Sequence, residues 1–199
     1  MKTAKVDNAK HGVKAKVEIR RRVLEALTPE KTRVFDAFAG TGVMWAQVWR
    51  QAAEYVGCDE RWHDDARCCF VADNRRVLRC LDLSAFTCFD LDAYGSPWEQ
   101  ALIVAARRPV ATGERIGLVV TEGTSLNTRL SGWPYALCQA AGIVRMPQMG
   151  QTGNHDELVS RALHGVARRM RCRILREWRA IGVTGAKMRY MGAVLEGAR

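Results

Sequence analysis

Long apolar runs are missing from the sequence: no stretch approaches the roughly 18 consecutive apolar residues that a membrane-spanning helix needs. We also expect no secretory signal, because residues 1–5 (M-K-T-A-K) lead into charge where a signal peptide has its apolar segment. We therefore expect a cytoplasmic protein that does not associate with a membrane.

The spacings that mark common metal sites and nucleophilic enzymes are absent as well. The sequence has no C-x-x-C pair, no Walker loop and no G-x-S-x-G motif, and its four histidines show no metal-ligand spacing. The seven cysteines are odd in number and lie mostly inside apolar segments, which favours reduced thiols in the core over disulfides. We predict no metal site.

Negative charge is scarce relative to positive charge. Lys and Arg number 31 against 21 Asp and Glu, and the formal net charge of +10 favours a polyanionic partner such as nucleic acid. The length of 199 residues, with 48% apolar and 26% charged residues, is typical of one globular domain. We therefore expect a single domain over residues 1–199.

The N-terminal segment carries much of the positive charge. We predict a basic arm over residues 1–12 and a helix over residues 13–28 that stops before Pro29. The helix is expected because apolar residues recur at helical spacing. They are Val13, Val17, Leu24 and Leu27. Such a basic amphipathic helix is either a solvated surface or, together with other basic surface, a contact for RNA or DNA.

The most informative stretch is residues 34–42, with the sequence V-F-D-A-F-A-G-T-G. The run up to Phe38 is apolar apart from Asp36, as in a strand that is covered on both faces of a parallel sheet. Gly40 and Gly42 allow a tight turn and a close approach of the backbone to a ligand. A helix over residues 43–53 is expected to follow, with its N-terminus at the turn.

A nicotinamide dinucleotide is a less suitable ligand for this turn. The dinucleotide fingerprint G-x-G-x-x-G has a third glycine so that the helix packs closely on the strand, and here position 45 is Trp. The sequence also contains no evident hydride-transfer site. An oxidoreductase is therefore disfavoured, although the glycines alone also suit a plain strand-to-helix turn.

Acidic residues follow the next two predicted strands. The second strand ends at Asp59, which is placed to accept both ribose hydroxyls of an adenosine, with Glu60 as the alternative. We then predict a helix over residues 60–71 and a third strand over residues 76–81 that ends at Asp82.

The fourth predicted strand, residues 86–92, leads into a loop at residues 93–98. In open α/β sheets, ligands bind beyond the carboxyl ends of the strands, where the strand order reverses. If the first and fourth strands are neighbours, the glycine turn and this loop face each other across one crevice.

Two motifs resemble a known family. The pattern D-x-x-x-G-x-G from Asp36 to Gly42 resembles motif I of class I S-adenosylmethionine-dependent methyltransferases. The stretch D-L-D-A-Y-G-S-P at residues 90–97 resembles the loop D-x-D-P-[FY]-G-S-P of the tRNA guanine-N2 dimethyltransferase family, with Ala93 where the family has Pro. Residues 116–132 loosely resemble the fifth-strand region of the same family.

This resemblance implies a Rossmann-like class I fold limited to the catalytic domain: a mostly parallel, seven-stranded type of sheet with an antiparallel edge and helices on both faces. It implies S-adenosylmethionine as the cofactor, with Asp36 and the glycine turn at its methionine end and Asp82 at its adenine amino group. The implied catalytic residues are Asp92, which accepts hydrogen bonds from the target amine, and Tyr94, which stacks on the target base. The implied cofactor-binding residues are Asp36, Phe38, Gly40, Gly42, Asp59, Asp82 and Asp90.

The expected activity is methyl transfer to an exocyclic amino group of a base, guanine N2 in tRNA above all, with RNA favoured over DNA as the partner. A DNA amino-methyltransferase fits the same motifs. A catalytically silent nucleic-acid-binding protein with the same fold is the third reading, because of Ala93 and the charge.

The C-terminal third gives weaker signals. We predict a helix over residues 134–141, an irregular loop over residues 142–154 and a long helix over residues 155–180. This long helix would carry a row of arginines that either are solvated or follow phosphates. They are Arg161, Arg168, Arg176 and Arg179. A closing strand over residues 187–195 is expected at the antiparallel edge, with a hairpin partner that the sequence does not identify.

Overall fold

The computed structural model describes residues 10–61, 63–123, 132–143, 155–181 and 188–198. These residues form a seven-stranded sheet with the strand order β3-β2-β1-β4-β5-β7-β6. Its strands are β1 Arg33–Asp36, β2 Glu54–Asp59, β3 Cys69–Val71, β4 Cys88–Leu91, β5 Arg115–Glu122, β6 Cys172–Ile181 and β7 Arg189–Gly197.

Strands β1 to β5 are parallel and the two last strands are antiparallel. β1 pairs with β2 on one side and with β4 on the other, and β4 pairs with β5. β7 runs antiparallel between β5 and β6. The predicted mostly parallel sheet with an antiparallel edge is confirmed, and so is the neighbourhood of the first and fourth strands.

Helices cover both faces of the sheet. They are α1 Lys10–Leu27, α2 Val43–Gln47, α3 Asn74–Cys80, α4 Trp98–Arg107, α5 Tyr135–Ala140 and α6 His155–Arg169. Short 3-10 turns lie at Pro29–Lys31, Trp49–Gln51 and Leu83–Ala85. Helices α1 and α2 lie on one face, and α3 to α6 lie on the other.

The central strands are apolar on both faces because each face is covered. Val34, Cys88 and Val119 pack with α1 residues, whereas the alternate residues Phe35 and Phe89 belong to the core under the other helices. Successive side chains of a strand point to opposite faces, so a strand between two helical layers needs apolar residues at nearly every position.

The region between β2 and β4 differs from the sequence prediction. The predicted helix over residues 60–71 is wrong, since this segment is a loop followed by the short strand β3. The predicted strand over residues 76–81 is wrong as well, because it is helix α3, whose N-terminus is capped by Asp73 through the Arg75 N–H. β3 is only three residues long and belongs to the sheet because it pairs with β2.

The C-terminal hairpin corrects another prediction. The long helix predicted over residues 155–180 ends at Arg169, and residues 172–181 form β6, the hairpin partner that the sequence left unplaced. Arg171 takes the left-handed conformation with φ 55°, which turns the chain from α6 into β6. The closing strand is confirmed as β7.

The remaining differences concern the ends of elements and side-chain burial. α1 begins at Lys10, before the predicted residue 13, and the helix predicted over residues 43–53 is the shorter α2 followed by a 3-10 turn. Of the predicted core thiols, Cys68 and Cys80 are exposed. Residues 1–9, 124–131 and 144–154 lie outside the described residues, and so do the predictions that fall on them. No helix among the described residues has the length and apolarity to cross a membrane.

Candidate functional site

A cavity of about 120 Å³ opens at the carboxyl ends of β1 and β4, where the strand order reverses. Its lining comes from the start of α1, the glycine turn, the loop after β4 and the start of β7. The lining residues are Val13, Lys16, Asp36, Phe38, Ala39, Gly40, Thr41, Val43, Met44, Asp92, Ala93, Tyr94 and Met188. The two motifs that the sequence singled out therefore face each other across one cavity.

The glycine turn adopts a conformation that depends on its glycines. Gly40 has φ 46° and Gly42 has φ 80°, in the left-handed region that side chains disfavour. A Cβ on Gly42 would also lie 2.9 Å from the guanidinium carbon of Arg67. Gly40 lines the cavity, and Gly42 lies behind it against Arg67.

Arg67 holds the turn from its outer side. Its Nη1 donates to the Ala39 carbonyl at 2.8 Å and its Nη2 donates to the Gly40 carbonyl at 2.7 Å, while Asp65 accepts from the same guanidinium. Arg67 is 8% exposed, so these bonds are largely shielded from water. Because the carbonyls are tied outward, the turn is fixed at the edge of the cavity. No sequence motif marks Arg67, so its contact with the glycine turn was not predicted.

Asp36 is a buried carboxyl group in the cavity wall. It is 2% exposed, accepts a hydrogen bond from the Phe38 N–H at 3.0 Å, and accepts another from the Tyr55 hydroxyl at 3.0 Å. Burial, and then the nearby charge of Asp90, raise the pKa of Asp36 to about 8. The side chain is thus poised to lose its proton when a cation arrives.

Asp59, at the end of β2, caps the glycine turn. Its Oδ2 accepts from the Gly40 N–H at 2.9 Å and its Oδ1 accepts from the Arg61 N–H at 2.8 Å. The side chain is 24% exposed. Asp59 does not line the cavity itself but is joined to it through Gly40.

Asp90 lies behind the cavity wall and has no exposed surface. Arg20 of α1 donates to both of its oxygens, at 2.6 and 2.8 Å, and the Trp49 indole N–H donates at 2.7 Å. Asp90 was predicted to contact the cofactor, but in the structure its two oxygens accept hydrogen bonds from Arg20 and Trp49. This buried pair fastens α1 to the tip of β4.

Asp92 is held in the cavity by two cations of α1. Lys16 Nζ lies 3.0 Å from Oδ1, and Arg20 Nη2 lies 3.0 Å from Oδ2. Burial alone would raise the pKa of Asp92, but Arg20 and then Lys16 lower it overall. Its side chain is 13% exposed, so an ionised carboxylate faces the cavity.

The loop after Asp92 presents an aromatic ring at the mouth of the cavity. Tyr94 is 68% exposed, which leaves its face open for stacking. Ala93 is buried, and its N–H donates to the Leu91 carbonyl at 3.0 Å. A proline at this position would lack that donor.

The predicted role of Asp82 is corrected by its position. The prediction rested on a third strand over residues 76–81, which is a helix. Asp82 is exposed and accepts from the Ser84 N–H at 3.0 Å, six residues before β4 begins. It therefore lies toward the amino end of β4, whereas the cavity lies at the carboxyl end.

This chain resembles known proteins in structure. No protein-family model and no curated protein matches the sequence. Trm1 from Pyrococcus horikoshii, solved with S-adenosyl-L-methionine, has a TM-score of 0.60 at 17% identity over 98% of this chain and 57% of its own. This chain thus spans little more than half of the length of Trm1.

Two further structures show the same likeness. TYW2 from M. jannaschii, in complex with AdoMet, has a TM-score of 0.57 at 12% identity and is covered over 80% of its length. The N-methyltransferase NodS from Bradyrhizobium japonicum WM9 has a TM-score of 0.56 at 9% identity and is covered over its full length. Each match includes 98% of this chain. The chain therefore has the Rossmann-like class I methyltransferase fold.

Proposed function

We propose that this protein is an S-adenosylmethionine-dependent methyltransferase that acts on an exocyclic amino group of a nucleic acid base, most specifically guanine N2 in tRNA. One observation carries the proposal: the glycine turn and the Asp92–Tyr94 loop line the same cavity. A donor site and an acceptor site are useful for group transfer only if they are adjacent.

The cofactor assignment rests on the residues around the glycine turn. S-adenosylmethionine supplies an electrophilic methyl group next to a positively charged sulfur, so the protein must mainly bind and orient. Asp36 suits the ammonium of the methionine end, and Asp59 suits the ribose hydroxyls. Phe38 and Gly40 provide an apolar and sterically open wall. Trm1 and TYW2 carry this cofactor on the same fold, which supports the assignment.

Asp92 is the proposed acceptor of hydrogen bonds from the target amine. An aromatic amine is a poor nucleophile because its lone pair is delocalised into the ring. An ionised carboxylate that accepts an N–H bond localises this lone pair and takes up the developing positive charge. Lys16 and Arg20 keep Asp92 ionised and fixed. Tyr94 stacks on a base that is single-stranded or flipped out.

The choice of RNA rests on the loop at residues 90–97. The loop matches the tRNA guanine-N2 pattern except at Ala93. The family's proline restricts the loop through its ring, whereas Ala93 restricts it through the hydrogen bond from its N–H to the Leu91 carbonyl. The replacement of proline by Ala93 is therefore compatible with activity.

The test starts with calorimetry of S-adenosylmethionine binding. The protein is then incubated with labelled cofactor and with separate tRNA, rRNA and DNA pools, followed by mass spectrometry of the nucleosides. We expect N2-methylated guanosine from the tRNA pool. Asp92→Ala should reduce its formation by about 10²-fold or more, and Asp82→Ala, which removes an exposed acid at the other end of β4, should not.

The outcomes separate the alternatives. Methylated adenine or cytosine from the DNA pool would favour the DNA enzyme. Cofactor binding without product from any pool would favour the silent binding protein, and absence of cofactor binding would refute both enzyme readings. Equal activity in the Asp92 variant and the wild type would remove Asp92 from the proposed mechanism.

A further inference from the structure

We propose that a groove between α1 and β6 binds the phosphate backbone of single-stranded RNA and leads it to the cavity. This inference rests on the proposed nucleic acid substrate and names the surface that would hold it. We call it the α1–β6 groove. It consists of two adjoining hollows of about 280 and 290 Å³, lined by Arg22, Glu25, Ala26, Arg115, Leu175, Arg176, Trp178 and Val194.

Strand β6 carries a register irregularity beside the groove. β6 pairs regularly with β7 except for a shift between Ile174 and Arg176. An extra residue in a strand redirects the side chains beside it. Leu175 and Arg176 consequently both line the groove, and Trp178 follows on the same side at the alternate position.

The charges in the groove favour an anion. Its lining has three arginines, of which Arg115 pairs with Glu196 at 3.2 Å, against one glutamate, Glu25. Arg22 is paired with Glu18 of its own helix at 2.6 Å, but both side chains are about half exposed, and such a surface pair is weak. Arg176 has no ion pair among the described residues. Both guanidinium groups are therefore able to bind phosphate oxygens.

An aromatic ring lines the same hollow as these charges. Trp178 is half-buried against the α1 side of the core and lines the same hollow as Arg22 and Arg176. Proteins that bind single strands combine a basic groove with aromatic rings on which bases stack. The combination of two guanidinium groups with an indole ring in one hollow therefore favours a single-stranded nucleic acid.

α1 connects the groove to the cavity. The helix carries Lys16 in the cavity wall and Arg22 in the groove. Six residues of helix correspond to about 9 Å along the axis. A strand that lies on Arg22 and Arg176 therefore has to continue along α1 for a few nucleotides before a base reaches Asp92 and Tyr94.

The test compares two double variants. Arg22→Gln with Arg176→Gln removes the two groove charges. Arg75→Gln with Arg79→Gln removes two exposed charges that pair with Glu99 near the other edge of the sheet, and serves as the matched control. The affinity for a short fluorescein-labelled single-stranded RNA of mixed sequence is measured by anisotropy at several salt concentrations.

We expect the groove variant to bind RNA at least tenfold more weakly and to lower the salt slope by about 1.4, since each phosphate contact to a single strand contributes about 0.7. The control should keep both values near those of the wild type. Equal losses in the two variants would overturn the groove, and so would unchanged RNA binding in the groove variant, the result for a surface that docks a protein.

Failure of the proposed enzyme activity is distinguishable from failure of the groove. RNA affinity is measured without cofactor, so it stays readable if the wild type methylates nothing. Calorimetry with S-adenosylmethionine should give the same affinity for the groove variant and the wild type. A groove variant that loses cofactor binding along with RNA binding would show a general structural defect and would overturn the assignment.

Discussion

Cofactor affinity should depend steeply on pH because Asp36 must lose a proton to bind a cation. In the free protein this carboxyl group lies in the cavity wall with a pKa of about 8. The methionine end of S-adenosylmethionine carries an ammonium group, for which Asp36 is the proposed partner. The perturbation is therefore pH itself, applied to the wild type and to Asp36→Asn.

The expected magnitude follows from the ionised fraction. With a pKa of about 8, roughly 1% of Asp36 is ionised at pH 6. Each pH unit well below the pKa costs about 1.4 kcal/mol, and about half of Asp36 is ionised at pH 8, so raising the pH from 6 to 8 should strengthen binding by roughly 50-fold. Above about pH 8 the gain should stop, because an α-amino group itself loses its proton near there.

Calorimetry in two buffers measures the proton directly. At pH 6.5 nearly all Asp36 is protonated, so binding of the cofactor should release about one proton per site. The observed binding enthalpy then differs between phosphate and imidazole buffers by the difference of their ionisation enthalpies. Asp36→Asn has no proton to lose, and its enthalpy should be the same in both buffers.

Two results would refute this reasoning. If the wild type binds with the same affinity at pH 6 and pH 8, Asp36 does not ionise on binding. If proton release at pH 6.5 persists in Asp36→Asn, another group is responsible, and the ammonium partner must be sought elsewhere in the cavity.

The remaining predictions concern stability and the glycine turn. The pKa of Asp36 is about 3.8 in the unfolded chain and about 8 in the folded protein, so the proton stabilises the folded state. The free energy of unfolding of the free protein should therefore be highest below pH 3.8, relative to Asp36→Asn, and should fall as the pH rises to 8. Urea unfolding of Asp36→Asn should lack this decline. Arg67→Lys should weaken cofactor binding several-fold with little change in kcat, because one ammonium cannot hold two carbonyls in fixed geometry. Arg20→Met should cost about 3–5 kcal/mol in urea unfolding by leaving Asp90 unpaired, and adding Asp90→Asn should recover part of it.

The central part of the fold was predictable because its signals are local. An apolar run covered on both faces, a glycine turn and an acidic loop are readable in residues 34–42 and 86–98 without knowledge of the rest. β6 was not predictable in this way. The apolar spacing of α6 continues by chance to Ile174, and only pairing with β7 makes residues 172–181 a strand. The wrong helix at residues 60–71 and the wrong strand at residues 76–81 have the same cause. Phe70 and Val71 are exposed, and they form a strand because they pair with β2.

The motif residues of the site were predictable, whereas the residues that hold them in position, such as Arg67, were not. Asp92 and Gly40 stand in recognisable patterns, and the structure brings them to one cavity. Arg67 lies in a loop without pattern, and its contact with the glycine turn depends on how that loop folds back. Asp82 was assigned from a strand that does not exist, so its error followed from the error in secondary structure.

Arg20 also holds the site in position, and its role could have been inferred from the sequence. Val17 and Leu24 lie on the apolar stripe of α1, and Arg20 is three residues after the first and four before the second, so it falls on the same stripe. A guanidinium among buried apolar residues needs a buried acid, because an unpaired charge there is too costly. The candidates were the acids of the apolar fourth strand, and the structure pairs Arg20 with both Asp90 and Asp92. The phase of a basic helix therefore distinguishes the arginine that builds the site from its neighbours that face the solvent.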